Sequence, residues 1–359
     1  RHVLTPRTSW QSSYQRVHVA RVYQDGPLGP GWQSPYWSRY VGDTDTADVR
    51  GTAQIASWLN LTGGYEFERE GYFDAQKNTL SPPDRIDVRT RIQQESHAGY
   101  FAGQLGLLDR RLQISFSGRA QAFRLGRPEF QLTGSASNYD RVQIQSPRKA
   151  LTGDISIAYL LARSNTKFRA HLGNAYRAPS LYERFGGGFS ANPITQVVEF
   201  SPYGDPLLLP DRYNSFDGGV DQYLLSNRVR ISATAFYTRM QSLTAFDFSG
   251  AIQPDKDPYG RMMGYLNGSG GTSRGFELSV ETRPLKSLTI NGSYTYTDAK
   301  MDQALTVPGF RRIFGVPRHM GTLVITRYWT SRIDTSVDLF HGSSYYNSFY
   351  AGFDSRAFQ

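Results

Sequence analysis

Apolar and polar residues alternate with a period of two along most of this chain, and that limits the possible folds more than any other feature. The clearest instance is 275–300. Phe276, Leu278 and Val280 share one face, and Glu277, Ser279 and Glu281 the other. After a turn at Pro284-Leu285-Lys286, residues Leu288, Ile290, Gly292, Tyr294 and Tyr296 oppose Thr289, Asn291, Ser293, Thr295 and Thr297. This spacing is that of β-strands with one apolar and one polar face. It recurs, weakly at 14–23, then at 46–58, 59–67, 85–104, 112–120, 153–161, 167–177, 214–224, 228–242, 320–328 and 333–340. The total is about 13 strands by this template.

A soluble sandwich shows the same local pattern, and the connections decide between the two. Short turns fall near Trp58 and at Leu108-Asp109-Arg110, Arg163-Ser164-Asn165, Ser226-Asn227, Pro284-Leu285-Lys286 and Trp329-Thr330-Ser331. Between them lie long Gly-, Pro-, Asp- and Ser-rich stretches at 24–43, 71–84, 126–149, 178–212, 247–271 and 301–315. Strict alternation of short and long connections is expected of an antiparallel transmembrane β-barrel, with tight turns on one rim and extended loops on the other. A propeller repeats every four strands and a sandwich mixes its loop lengths. Trp58 and Trp329 fall at the short-turn rim, where an interfacial aromatic belt is expected. The polar faces would then line a wide lumen.

Composition agrees. Hydrophobic residues make up 39% of 359, with no apolar run near the ~20 residues a membrane helix needs, whereas a barrel strand turns only alternate residues to lipid. The 23 Tyr and 21 Phe suit aromatic girdles. With no Cys, a disulfide framework and a thiolate metal site are excluded. The net charge of +9 comes from 40 Lys and Arg scattered along strands without a dense basic run. That distribution argues against nucleic acid and fits a barrel facing outer-membrane lipid and anionic lipopolysaccharide. No charged start followed by an apolar run is visible at Arg1, so the sequence reads as processed or as a fragment.

Two boxes carry a family resemblance. Ala175-Tyr176-Arg177-Ala178-Pro179-Ser180-Leu181-Tyr182-Glu183 resembles the aromatic-Arg-x-Pro-(Ser/Thr) box of TonB-dependent outer-membrane receptors. Asp205-Pro206-Leu207-Leu208-Leu209-Pro210-Asp211 resembles the segment that follows it there. The Asn267 loop, Ser273-Arg274-Gly275-Phe276-Glu277-Leu278, Ser293-Tyr294-Thr295-Tyr296-Thr297-Asp298-Ala299 and Val316-Pro317-Arg318-His319 keep that family's order over 167–340. The resemblance implies an all-β chain forming part of a barrel of roughly 22 strands. It also implies a Gram-negative outer-membrane location and TonB-coupled uptake of a scarce small-molecule ligand, such as a ferric siderophore. The TonB energy-coupling complex would act through a plug domain. Residues 1–359 show no plug, and Phe358-Gln359 does not read as a closing strand, so the chain is expected to be a partial barrel. A passive porin-like or structural barrel is the alternative. No His lies between Ser180 and Asp205, where haem receptors of the family carry one.

Arg177 shares the polar parity of Arg169 and His171, and is expected to face inward and pair with a carboxylate. Tyr182, Glu183, Arg184 and Phe185 open the longest loop, loosened by Gly186-Gly187-Gly188; with Arg177 they are the expected ligand contacts. Asp43 and Asp45 share a strand face and are weak calcium candidates, while Asp255 and Asp257 read as solvated. No nucleophile-base set, paired catalytic carboxylates or zinc spacing is present, so neither an enzyme nor a cofactor is expected.

Overall fold

The computed structural model describes residues 2–26, 36–78, 80, 84–133, 139, 143–191, 198–247, 252–261, 263–304, 311–346 and 356–357. The main sheet contains β1 (His2–Thr5), β2 (Thr8–Gln24), β3 (Tyr36–Ala56), β4 (Leu59–Asn78), β5 (Asp87–Leu107), β6 (Leu112–Leu125) and β7 (Glu129–Leu132). It continues through β8 (Ala150–Leu161) and β9 (Thr166–Arg177). A helix α1 (Leu181–Phe185) and a separate hairpin, β10 (Gly187–Ala191) with β11 (Val198–Pro202), come next. The sheet resumes with β12 (Asp211–Leu224), β13 (Val229–Asp247), β14 (Gly264–Leu285), β15 (Leu288–Met301), β16 (His319–Tyr328) and β17 (Asp334–Gly342). A last pair, β18 (Tyr345–Tyr346) and β19 (Arg356–Ala357), stands apart.

All pairings are antiparallel, and apart from β7 the strands of the main sheet lie beside one another in chain order. The sheet holds 15 strands along β1-β2-β3-β4-β5-β6-β8-β9-β12-β13-β14-β15-β16-β17, with β7 added beside β5. Every strand expected from alternation is present; β1 and β7 are the additions. This is an up-and-down meander, in which each backbone group finds its partner on the next strand. Lipid demands that arrangement because the hydrocarbon offers no hydrogen bonds.

Several expected loops are shorter than alternation implied. β4 continues to Asn78, so the polar run Asp74, Gln76, Asn78 in 71–84 is strand, not loop. β14 begins at Gly264, which places Asn267 in a strand. The stretch 178–212 holds α1 and a hairpin. The glycine triplet also serves closeness more than freedom: a Cβ on Gly187 would collide with the Phe200 ring. The centres of the expected loops at 24–43 and 301–315, and residues 358 and 359, lie outside the described residues.

The two faces sort as lipid and lumen require. Val49, Tyr65, Phe101, Ile155, Leu172, Phe216, Leu278 and Leu339 lie on one face, between 45% and 57% exposed. In water so continuous an apolar surface would drive association, whereas in a bilayer it is the solvated side. Aromatic rings cover the glycines here: Phe116 pairs with Gly103 and Phe101 with Gly118, directly across the ladder. The other face carries ion pairs. Asp221, 1% exposed, lies 3.5 Å from Arg169 and 3.6 Å from Arg230, and His171 lies 2.9 Å from Asp217.

The apolar face ends abruptly. On one register row Arg16, Asp45, Arg69, Glu95 and Arg124 stand opposite one another across β2 to β6. Above that row β3, β4 and β5 rise well past the ~10 residues a tilted strand needs to cross a bilayer, being 21, 20 and 21 residues long. The buried core lies against these extensions, on the loop rim.

Candidate functional site

The long-loop rim folds onto the lumen side of the sheet through the segment after β9. Pro179, fully buried and without an N–H, ends the β9 ladder. Ser180 then caps α1: its hydroxyl accepts from the Glu183 N–H, and the Glu183 carboxylate accepts from the Ser180 N–H at 2.7 Å. Leu181 and Phe185, 1% and 2% exposed, are driven into a core made with Tyr72 of β4 and Ile92 of β5. Beyond it Phe189 and Val198 of the hairpin pack on Val88 of β5, and the Gln76 amide donates to the Gly187 carbonyl at 2.7 Å.

Arg177 faces inward as its parity requires, and it joins the two boxes that carry the family resemblance. Its guanidinium lies 2.7 Å from Asp211 and 2.9 Å from Glu183. Asp211 also accepts from the Thr244 N–H at 2.8 Å and the Thr244 hydroxyl at 2.9 Å. The second box is pinned equally: the Asn267 side chain exchanges hydrogen bonds with the Leu209 backbone at 2.8 and 2.9 Å.

Tyr182 is the hub of an aromatic wall. Its ring meets Tyr40 of β3, Tyr72 of β4 and Tyr265 of β14 edge-on, at centroid distances of 6.1, 6.2 and 6.0 Å. Tyr203 and Phe246 extend the wall on the β13 side. Burial pushes the Tyr40 hydroxyl up to about 12, so it stays a neutral donor at physiological pH. Asp74 stands opposite Tyr40 in register, above the membrane-facing band; burial pushes its carboxyl up to about 7, opposed by the hydrogen bond that Gln76 donates to it at 2.6 Å. The Gln76 and Gln94 side-chain oxygens on this wall find no hydrogen-bond partner among the described residues.

Three loop segments interlock above the wall. The Tyr139 hydroxyl donates to the Gly204 carbonyl at 2.9 Å, and Tyr259 donates to Asp205 at 3.2 Å. Arg261, 3% exposed, binds Asp257 at 2.9 Å and donates to the carbonyls of Tyr203, Gly204 and Tyr265. Arg184 donates to the carbonyls of Gln145 and Pro206, and burial brings its guanidinium down to about 10, still charged at neutral pH.

The expected ligand contacts therefore divide. Arg177, Tyr182 and Glu183 keep access to the mouth, whereas Arg184 and Phe185, each 2% exposed, hold the loops together. Asp257 is an ion-pair partner of Arg261, where a solvated carboxylate was expected. Asp43 and Asp45 share a face, and the Oδ1 of each is engaged: His18 lies 2.8 Å from Asp43, Tyr14 donates to Asp45 at 2.6 Å, and Arg16 stands beside both. No group of three or more His, Asp or Glu suited to a metal occurs among the described residues. Tyr72, Asp74 and Gln76 were missed because 71–84 was taken for a loop, and Tyr40 because 24–43 was. The alternation Tyr72, Asp74, Gln76, Asn78 was the signal that could have found them.

Comparisons with known proteins agree with this architecture. A family model described as TonB dependent receptor-like, beta-barrel, matches residues 1–358. The metal-pseudopaline receptor CntO of Pseudomonas aeruginosa is 25% identical over 115 residues, 32% of this chain and 15% of that protein. The ferric yersiniabactin uptake receptor FyuA of Yersinia pestis superposes with a TM-score of 0.60 at 15% identity, covering 95% of this chain and 48% of FyuA. The ferric-catecholate import receptor Fiu of E. coli K12 gives 0.62 at 15% identity, over 98% of this chain and 54% of Fiu. The chain thus spans about half the length of these solved receptors, and the likeness to them is one of fold.

Proposed function

Because this chain belongs to the TonB-dependent receptor β-barrel family, we propose that it forms part of the barrel of an outer-membrane receptor that takes up a scarce small ligand with TonB-coupled energy. The observation that carries this reading is the mouth: an aromatic wall with buried polar oxygens, covered by three interlocked loop segments on the lumen side. A channel for passive flow gains nothing from loops ordered over its entrance, whereas a receptor needs them to desolvate and hold a ligand before passing it on.

The wall also supports a ligand class. Neutral phenol donors around Tyr182, with the Arg177 guanidinium nearby, suit an oxygen-rich, partly aromatic anion such as a ferric siderophore. Arg177, Tyr182 and Glu183 are its nearest polar groups; Arg184 and Phe185 act by positioning them. Transport would pass through the lumen, where Arg119 pairs with Glu66 and Arg169 with Asp221. Neither a chemical step nor a cofactor belongs to this reading.

Deleting the gene and limiting growth in turn for iron, cobalamin or a glycan carbon source tests it. The expected result is a defect confined to one limitation, with uptake stopped by collapsing the proton gradient. Uptake that continues after the gradient is collapsed would assign the barrel to passive flow instead.

A further inference from the structure

The outward face above the apolar band carries charge that the transport reading does not use. The row Arg16, Asp45, Arg69, Glu95 and Arg124 lies directly above the row Tyr14, Ala47, Phe67, His97 and Ala122. Polarity thus changes within one step along β3, β4 and β6, as it must where hydrocarbon gives way to headgroups, with Tyr14 and His97 as amphipathic members of the lower row. Against this face, just above the row, lies a concavity of about 460 Å³. Arg16, Arg69, Arg91 and Arg127 line it, together with Asp43 and Asp45.

Its guanidiniums fall into two kinds. Arg16 lies 3.7 Å from Asp43 and 3.8 Å from Asp45, and Arg69 binds Glu95 at 2.9 Å. Arg91 and Arg127 are exposed and form no ion pair among the described residues, although Glu129 is the register partner of Arg91 and lines the same groove. Arg39, Arg89 and Arg124, exposed on the same face, are equally without one. The unneutralised charge is therefore positive, and it is presented sideways, where a soluble ligand entering the mouth does not pass.

We propose that this groove holds the phosphate of an anionic lipid of the outer leaflet. Arg91 and Arg127 donate to it directly, while Arg16 and Arg69, fixed by their carboxylates, shape the floor. A guanidinium fork matches a phosphate in geometry as well as charge, and Ala47, Phe67 and Ala122 beneath receive the acyl chains. The inference rests on the outer-membrane reading above.

The test uses the protein purified in the form its cells make, in mild detergent, with native mass spectrometry reading the lipid retained. The probes are phosphorylated lipid A, the same lipid after phosphatase treatment, and inorganic phosphate. Phosphorylated lipid A is expected to be retained, and its dephosphorylated form lost. The R91Q/R127Q variant is expected to lower retention about tenfold or more, the effect of losing two charge-assisted hydrogen bonds. Heat-modifiable gel mobility confirms that the variant is folded. Equal retention of the two lipid forms by the unmodified protein overturns the proposal without any variant. So does undiminished retention in folded R91Q/R127Q, and so does inorganic phosphate displacing the lipid at equal concentration, which gives the groove to a soluble anion. Membrane fractionation separates the premise: protein absent from the outer membrane removes both readings, whereas protein present there with indifferent lipid binding removes only this one.

Discussion

Arg177 stands between two carboxylates from different segments, so its substitution exposes more than one lost contact. R177Q leaves Asp211, 2% exposed, with a buried charge and no cation. The expected loss is about 3 kcal/mol of stability in the folded rim, read as faster hydrogen exchange in α1 and the residues before β12, with the membrane-facing strands unchanged. Asp74 makes the opposite case. Its carboxyl titrates near 7 when folded and near an ordinary ~4 when unfolded. Between those values the folded form binds more protons, so the rim loses stability as pH rises from about 4 to about 7 and changes little above that. D74N should flatten this dependence, measured as exchange protection of α1 and β10 between pH 4 and 8, corrected for intrinsic rates. A slope that persists in D74N assigns the effect to another group. The inward direction of Arg177 was legible from its parity with Arg169 and His171. Its partners were not, because Asp211 is brought near only by the pairing of β9 with β12.

At the scale of elements, the strands were legible because a bilayer enforces alternation on every one that crosses it. The rim was not, because above the membrane both faces of a strand are polar or covered and the alternation loses its contrast. The 71–84 stretch failed for this reason: Tyr72 to Asn78 alternate as strictly as any segment, but with polar residues turned to a covered face. α1 is only five residues long and depends on its cap. S180A should cost about 1 kcal/mol and loosen α1 without uncoupling the loops. R261Q should do more. It removes the shared donor to three backbone carbonyls and leaves Asp257, which Arg261 holds below the usual carboxylate range, to bear the burial that opposes its charge. A loss of about 3 kcal/mol or more is expected, seen as lost protection at 203–206 together with lost ligand capture, while the barrel keeps its heat-modifiable mobility.

For the molecule as a whole, the apolar face points away from every other element and the buried core sits at one end. A soluble sandwich reverses both, since its apolar faces would be buried between layers. Unboiled protein in detergent is therefore expected to migrate faster on a gel than boiled protein; identical mobility counts against the barrel. The strand lengths have a further consequence. β3, β4 and β5 stand tall on one side, as do β13 and β14 at 19 and 22 residues, while β8 and β9 between them have 12 each. The described residues of 179–191 and 198–210 hang across this saddle, fastened to β4 by Gln76 and to β14 by Asn267. Transplanting that segment alone onto a sister receptor should therefore fail to carry its appetite for a ligand across. The graft would arrive without the two palisades that give it shape, and in such a lineage new tastes must evolve by trading loops and posts together.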